Sequence, residues 1–164
     1  MSLTTDLLSL YKPELEELRF RQKLLADPDT MSYNRKWGGT IDFPREKWKD
    51  WYQRWVGADE KKRFYRYLVN TSEKMFVGEA AYHYDESRDI FLCDIIVYAG
   101  YRGNGYGTEG LRLLCEAAKG NGVAVLYDDI AADNPAVKLF LDNGFTVEQR
   151  TEDIVTVKKI LGGK

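Results

Sequence analysis

A glycine-rich run near the middle of the chain joins an apolar segment to a helical one. The run YRGNGYG, residues 101–107, follows an almost continuous apolar stretch at 90–98 and precedes helical spacing at 108–119. Several backbone N–H groups at a helix start lack partners and point the same way, with the positive end of the helix dipole behind them. Glycine lets the backbone approach a ligand and adopt positive φ angles. The run therefore predicts a strand, a phosphate-binding turn and a helix, with Arg102 adding charge at the rim.

The segments around this turn predict one domain that mixes helices and strands. Apolar spacing and capping residues predict helices at 13–26, after Pro44, at 108–119 and at 134–143. Alternating or continuous apolar runs predict strands at 64–69, 75–84, 90–98, 123–127, 145–149 and 153–160. The order ααβββαβαββ predicts an α+β fold, with a mixed, mostly antiparallel central sheet and helices on both of its faces.

A second motif lies downstream, in the run DNPAVKLFLDNGF at residues 133–145. The pattern Arg102-x-x-Gly105-x-Gly107 resembles the acyl-CoA pyrophosphate loop of the GCN5-related N-acetyltransferase (GNAT) superfamily. The downstream run resembles that superfamily's closing motif, in which an Asn opens a helix, an aromatic lies mid-helix and Gly-Phe ends it. Here Asp133 stands where Asn is usual, and Asn134 follows one position later.

The resemblance implies a single acyl-CoA N-acyltransferase-like domain over residues 1–164. Residues 1–60 would form a helical region on the acceptor side, 61–130 the sheet and the acetyl-CoA loop, and 131–164 the closing helix and strands. It also implies acetyl-CoA as co-substrate, with its pantetheine arm in a gap between the strands at 96–98 and 126–128. The residues expected to bind the cofactor are Ile96, Val97, Arg102, Gly103, Asn104, Gly105, Tyr106, Gly107, Thr108, Asn134 and Phe140.

Acetyl transfer to an amine requires a group that takes the acceptor's proton, because alkylammonium ions have a pKa of about 10. Asp94 is the first candidate for this base, since it is the only charged residue in an otherwise apolar strand, where desolvation favours the neutral acid. Glu79 on the neighbouring strand is the second candidate. Either carboxylate could instead be a structural one that is held by the backbone or by an internal Arg or Lys. His83 is better read as a strand residue than as a base.

The departing thiolate requires a proton, and here the chain departs from the family pattern. Many members carry a tyrosine midway along the last helix, whereas this chain has Phe140, which cannot donate a proton. Tyr98 is the candidate substitute, and Tyr106 and Tyr127 are also close in sequence. Because a free thiol has a pKa of about 8.5, thiolate leaves with little help, so transfer does not require this acid absolutely.

Charge and composition limit the partners. A net charge of −2 and a pI of about 5.6 argue against binding to nucleic acid or to anionic membranes. No apolar run approaches the length of a membrane span, and residues 1–6 lack the features of a signal peptide, so we expect a cytoplasmic protein. Cys93 and Cys115 have no metal-binding spacing; we expect reduced core residues and no metal site.

Two other functions are also compatible with the sequence. The spacing Gly103-x-Gly105-x-Gly107, with Asp128 about twenty residues on, is also compatible with a dinucleotide-binding oxidoreductase, although Thr108 stands where that fingerprint requires glycine. A non-catalytic module that binds acyl-CoA would explain Phe140. The acceptor amine is not encoded in a recognisable motif, and a homodimer is compatible with the sequence, which leaves the oligomeric state open.

Overall fold

A seven-stranded sheet lies at the centre of residues 3–162, which this computed structural model describes apart from the side chain of Lys36. In chain order the strands are β1 (Leu8–Tyr11), β2 (Arg63–Asn70), β3 (Phe76–Asp85), β4 (Ile90–Val97), β5 (Val125–Ala131), β6 (Thr146–Arg150) and β7 (Ile154–Ile160). They lie in the order β1-β2-β3-β4-β5-β7-β6, and all neighbours are antiparallel except β4 and β5. This mixed, mostly antiparallel sheet confirms the predicted fold class.

Helices cover both faces of the sheet. They are α1 (Leu18–Ala26), α2 (Trp48–Trp55), α3 (Tyr106–Gly120) and α4 (Ala136–Asp142). Short 3₁₀ turns at Leu15–Glu17 and Arg45–Lys47 precede the first two, so both α-helices begin later than predicted. The helix α3 begins earlier than predicted, inside the glycine-rich run. The strand β1, which pairs antiparallel with β2 at one edge of the sheet, was not predicted.

The two faces of the sheet bury different side chains. On one face a large apolar cluster joins the sheet to α3 and α4, with Leu68, Leu111, Leu126, Phe140 and Val157 among its members. On the other face two smaller clusters join the sheet to α1 and α2; they include the stacked pair Trp51 and Trp55, and also Trp48. These three tryptophans, which recur at helical spacing on α2, are therefore part of the core packing. Because side chains alternate along a strand, each sheet position faces either α1 and α2 or α3 and α4.

One glycine brings β3 unusually close to β4. A Cβ atom built on Gly78 would lie 2.2 Å from the carbonyl oxygen of Ile96, a backbone atom that cannot move aside alone. We expect Gly78→Ala to lower the free energy of unfolding by about 1–3 kcal/mol, as overpacked sites do, and to displace the end of β4. Urea unfolding measures the loss.

Gly120→Ala is the matched control, because no atom lies within 4 Å of its added Cβ. Since alanine favours helix over glycine, this variant should be as stable as the parent or more stable. Equal stabilities of the Gly78 and Gly120 variants would contradict the close approach.

Candidate active site

The parallel strands β4 and β5 separate soon after they begin to pair. Pairing joins only Phe91 to Leu126 and Leu92 to Tyr127, while β4 continues beside β3 and β5 beside β7. The edges that face each other therefore diverge and leave a V-shaped gap. The predicted gap is present, and on β5 it opens after Tyr127, within the predicted range 126–128. On β4 it opens earlier than predicted, after Leu92.

Backbone donors of β4 point into this gap. The N–H of Tyr98 donates to the carbonyl oxygen of Val77 at 2.9 Å, on the β3 side. Because successive N–H groups of a strand point to opposite edges, those of Val97 and Ile95 point away from β3, towards β5. The gap therefore presents fixed donors for a carbonyl or amide group that enters it.

The start of α3 presents a second group of backbone donors. Within residues 3–162, the N–H groups of residues 103–108 make no hydrogen bond to protein, and the first amide to bond backwards is that of Glu109, to Gly105 at 3.1 Å. Gly103 and Gly105 have φ angles of +85° and +82°, which glycine adopts without strain. The amides of residues 106–108 belong to the first turn of α3, so they point along the helix axis with the helix dipole behind them, an arrangement that binds phosphate.

A cleft of about 630 Å³ joins the start of α3 to the gap. Its lining comes from three parts of the chain: the strands β4 and β5, the start of α3 with α4, and residues 30–37, which include a 3₁₀ segment at Ser32–Trp37. Of the predicted cofactor residues, those that line it are Ile96, Val97, Arg102, Gly103, Gly105, Tyr106, Gly107, Thr108, Asn134 and Phe140. One continuous cavity thus contains most of the predicted cofactor site.

Several of these residues act through the backbone or are occupied by protein partners. The Tyr106 side chain is buried and its hydroxyl accepts from Asn70 Nδ2 at 2.6 Å, so only its backbone is available to a ligand. The Arg102 guanidinium donates to the carbonyl oxygen of Thr30 at 2.9 Å. The side-chain oxygen of Asn134 accepts from the N–H of Ala136 at 2.9 Å and caps the start of α4.

Two carboxylates flank the point where the gap opens. Asp94 is the second β4 residue after the last paired one, and Asp128 is the first on β5; both line the cleft. Asp94 is accessible to solvent yet surrounded by protein, and burial, then the charge of Glu79, raise its pKa to about 7, although Arg21 opposes the shift. Burial, then the charges of Asp94 and Asp129, raise the pKa of Asp128 well above its ordinary value.

Three predicted residues lie elsewhere among the residues that the structure describes: the lining of the cleft does not include Glu79, Tyr98 or Asn104. Glu79 is 3% exposed and accepts hydrogen bonds from Arg21 and Tyr65. Of the two interpretations given for this carboxylate, the structure therefore favours a structural group paired with an internal Arg. The ring of Tyr98 lies 4.9 Å from Lys23 Nζ, on the α1 side. The side chain of Asn104 donates to the carbonyl oxygen of Tyr101 at 2.9 Å.

Comparisons with known proteins identify this arrangement. The profile of a family described as "Acetyltransferase (GNAT) domain" matches residues 7–146. The chain belongs to the GNAT acetyltransferase family. This confirms the predicted resemblance and makes the protein an acetyltransferase. The single parallel strand pair among the described residues also differs from the parallel sheet that a dinucleotide-binding oxidoreductase requires, so that alternative is wrong.

Solved structures show the same fold at low sequence identity. An acetyltransferase (GNAT family) from Bacillus anthracis is 16% identical with a TM-score of 0.77, covering 98% of each chain. Spermidine N-acetyltransferase from Vibrio cholerae, in complex with CoA and spermine, is 18% identical with a TM-score of 0.79, covering 96% of this chain and 97% of that one. Microcin C7 self-immunity acetyltransferase MccE, in complex with acetyl-CoA and AMP, is 16% identical with a TM-score of 0.75, covering 97% and 98%. A comparison with curated protein sequences gave no match.

The sequence did not reveal one wall of the GNAT cleft. Residues Thr30, Met31, Tyr33, Asn34 and Trp37 line it, opposite α4. Tyr33 and Trp37 are exposed aromatic side chains, with 37% and 53% of their surfaces accessible. An aromatic pair in a segment without helical or strand periodicity was the one available signal. Among the helices of residues 3–162, none has the length and apolarity that crossing a membrane requires.

Proposed function

We propose that this GNAT protein transfers the acetyl group of acetyl-CoA to a primary amine of a small molecule, peptide or protein, by direct attack in a ternary complex. The observation that carries the proposal is the row of unpaired amides at residues 103–108, which opens into a cleft that continues through the strand gap to Asp94. A cytoplasmic location and a homodimer stay predictions from the sequence.

The cofactor would be held mainly by backbone. Its diphosphate would accept hydrogen bonds from the amides at the start of α3, where the helix dipole favours negative charge. The pantetheine arm would enter the gap beside Val97, whose N–H points towards β5, and pass Asn134 and Phe140. A β4 amide facing the thioester oxygen would stabilise the negative charge that develops there during attack.

Asp94 is the proposed base. Its side chain lies on the face of β4 that Ile96 shares, and Ile96 packs with Leu18 and Trp48 on the side of α1 and α2. That side also carries the aromatic wall of residues 30–37, which would contact the acceptor. A carboxylate with a pKa of about 7 is ionised often enough at neutral pH to attract an ammonium ion and basic enough to take its proton.

Calorimetry and mass spectrometry test the proposal together. We expect the ligand-free protein to bind acetyl-CoA and CoA, and to acetylate at least one member of a panel that includes spermidine, aliphatic monoamines, amino acids and peptide amino termini. No binding of either cofactor would overturn the proposal. Binding without an acetylated product in a broad panel would favour a non-catalytic acyl-CoA module instead.

The amide row has its own test in Gly105→Glu. A carboxylate at this position would lie where the diphosphate binds, so we expect at least a 100-fold loss of CoA affinity, since like charges in contact cost several kcal/mol. Titration calorimetry measures the loss.

Gly122→Glu is the matched control for this variant. Gly122 has a φ angle of +88°, close to the +82° of Gly105, so both variants carry the same backbone strain and the same added charge. Gly122 lies between α3 and β5 and does not line the cleft that residues 3–162 form, so its variant should bind CoA as the parent does. Equal affinities of the two variants would remove the amide row from the cofactor site.

A further inference from the structure

The last helix of the domain offers no proton donor to the departing sulfur. Phe140 occupies the middle of α4, is 2% exposed and packs edge to face against Phe145 with 4.9 Å between ring centroids. Phe140 nevertheless lines the cleft, so a thiolate that leaves beside it contacts an apolar ring that cannot donate a proton. Any proton that the protein supplies there must come from another element.

Asp128 occupies the face of β5 that packs against α3 and α4. Leu126 and Ile130, two positions before and after it on the same face of the strand, are buried in the same cluster as Phe140. Its charge is also the second cause, after burial, that raises the pKa of Cys93, another member of that cluster. Asp128 therefore shares the face of the sheet, and the cleft, with Phe140.

Asp128 and Asp94 lie on opposite faces of the split sheet. Asp94 faces α1, as Ile96 does, whereas Asp128 faces α4. Among the described residues, no side chain forms a hydrogen bond or ion pair with Asp128; its carboxyl group accepts from the backbone N–H of Asp129 and otherwise faces the cleft, where it can meet a ligand. Its neighbour Asp129, in contrast, is bonded to Arg88 and Thr156.

The two carboxyl groups have different charged neighbours. Asp94 is influenced by Glu79, Arg21 and Asp128, and burial with the charge of Glu79 brings its pKa to about 7. Asp128 is influenced by Asp94 and Asp129, which both add to burial in raising its pKa. Ionisation of Asp94 thus favours retention of the proton on Asp128. Two carboxyl groups coupled in this way can supply an acid and a base at one pH.

We propose that Asp128 is the general acid of this enzyme, donating its proton to the sulfur of CoA as the thioester breaks. This role rests on the proposed acetyl transfer. The amine nitrogen attacks the thioester carbon and forms the C–N bond, the C–S bond breaks, and its electron pair goes to sulfur, which takes the proton of Asp128. Asp94 first takes the proton of the ammonium ion and releases it to solvent, and after the C–N bond has formed it takes a second proton from the nitrogen. Passage of that proton from Asp94 to Asp128 restores both groups, so that acetyl-CoA and amine become CoA and amide.

The test varies the leaving group. We compare acetyl-CoA with its selenoester analogue, whose selenolate is a far weaker base and leaves without a proton. Asp128→Asn should lower kcat with acetyl-CoA by about 10²-fold, the low end for a general acid because thiolate leaves readily, and with the selenoester by less than about threefold. Asp94→Asn should lower kcat with both donors, because the acceptor must lose its proton whichever group leaves, and asparagine cannot take it.

Further measurements distinguish a catalytic from a structural role. CoA calorimetry on Asp128→Asn should match the parent, and its Tm should be no lower at neutral pH, because asparagine removes an ionisable group whose pKa burial raises. If the variant misfolds, the parent's pH profile decides: kcat should fall at alkaline pH with acetyl-CoA and stay level with the selenoester. Equal losses with both donors, or no loss with acetyl-CoA, would overturn the acid role. A parent inactive with both donors would overturn the acetyl transfer itself, and the acid role with it.

Discussion

Asp94→Asn should lower kcat/KM for amine acetylation by about 10²–10⁴-fold, the usual contribution of a general base. The asparagine amide preserves the shape of the side chain but neither attracts the ammonium ion nor takes its proton. In the parent, kcat/KM should rise with pH through about 7, where Asp94 ionises, and the variant should lack this rise. Initial rates measured from pH 5 to 9 check both expectations.

Asp129→Asn is the control, because Asp129 lines the same cleft while its carboxylate is bonded to Arg88 and Thr156. The loss of kcat/KM in Asp129→Asn should be less than about tenfold, since partly exposed ion pairs contribute little. An acceptor that is already neutral at pH 7, such as hydroxylamine, should lose less activity in Asp94→Asn than an alkylamine does. Equal losses for both acceptors would show that Asp94 is not the base.

The same substitution should make the protein more stable above neutral pH. The pKa of Asp94 is about 7 in the folded state against 3.8 unfolded, so between these values the folded state binds more protons. Stability therefore falls as pH rises through this window, and asparagine avoids the loss. Because Asp94 is also accessible to solvent, screening makes the effect much smaller than the full pKa shift would give. We expect Tm of Asp94→Asn to exceed that of the parent by roughly 2–4 °C at pH 8 and to be close to it at pH 4. A variant that melts lower at pH 8 would contradict the raised pKa of Asp94.

Glu79→Gln should lower the free energy of unfolding by about 3–5 kcal/mol, the usual cost of breaking a buried ion pair by removing one partner. Glu79 Oε1 accepts from Arg21 Nη1 at 2.6 Å, and the two side chains are 4% and 14% exposed. The guanidinium also stacks over Trp51 at 4.3 Å. Without the carboxylate its charge is left in an aromatic environment. Urea unfolding measures the loss.

Two further variants make this result specific. Glu60→Gln breaks a more exposed pair with Arg66 and should cost about 1 kcal/mol or less. Arg21→Met combined with Glu79→Gln should recover much of the stability lost in the single variant, because no unpaired charge remains. At a temperature where Glu79→Gln stays folded, we expect it to acetylate amines. Loss of activity without loss of stability would instead return Glu79 to the role of base.

Local patterns predicted most of the fold but not its edges. The glycine-rich run, the apolar β4 and the capped α4 each carry a signal within a few residues, so the order of the central elements and the cofactor cleft followed from them. The strand β1 has four residues at a sheet edge, too few for alternation to be distinguished from chance. The strand β5 was placed too early because Asp128 and Asp129 interrupt its apolar pattern.

The catalytic side chains were harder to predict, because their roles depend on distant partners. Arg21 and Glu79 are 58 residues apart in sequence, and only the packing of α1 on β3 makes Glu79 a paired carboxylate. The direction of Tyr98 and Asn104 depends on the turn between β4 and α3. Asp94 could be proposed as the base from the sequence because a lone charge in an apolar strand is a local signal. The face of the sheet on which Asp128 lies could not be predicted without knowing how β5 pairs with its neighbours.

Thr30 connects the part of the cleft proposed to bind the cofactor with the part proposed to contact the acceptor. Its hydroxyl accepts from the N–H of Ala99 at 2.8 Å and donates to Asp27 at 2.6 Å, while its carbonyl oxygen accepts from Arg102. The loop with the unpaired amides is thus fastened to the segment that contains Tyr33 and Trp37. Attempts to redesign acceptor selectivity at residues 30–33 will therefore also shift donor recognition, and libraries that vary this segment should be screened for both properties at once.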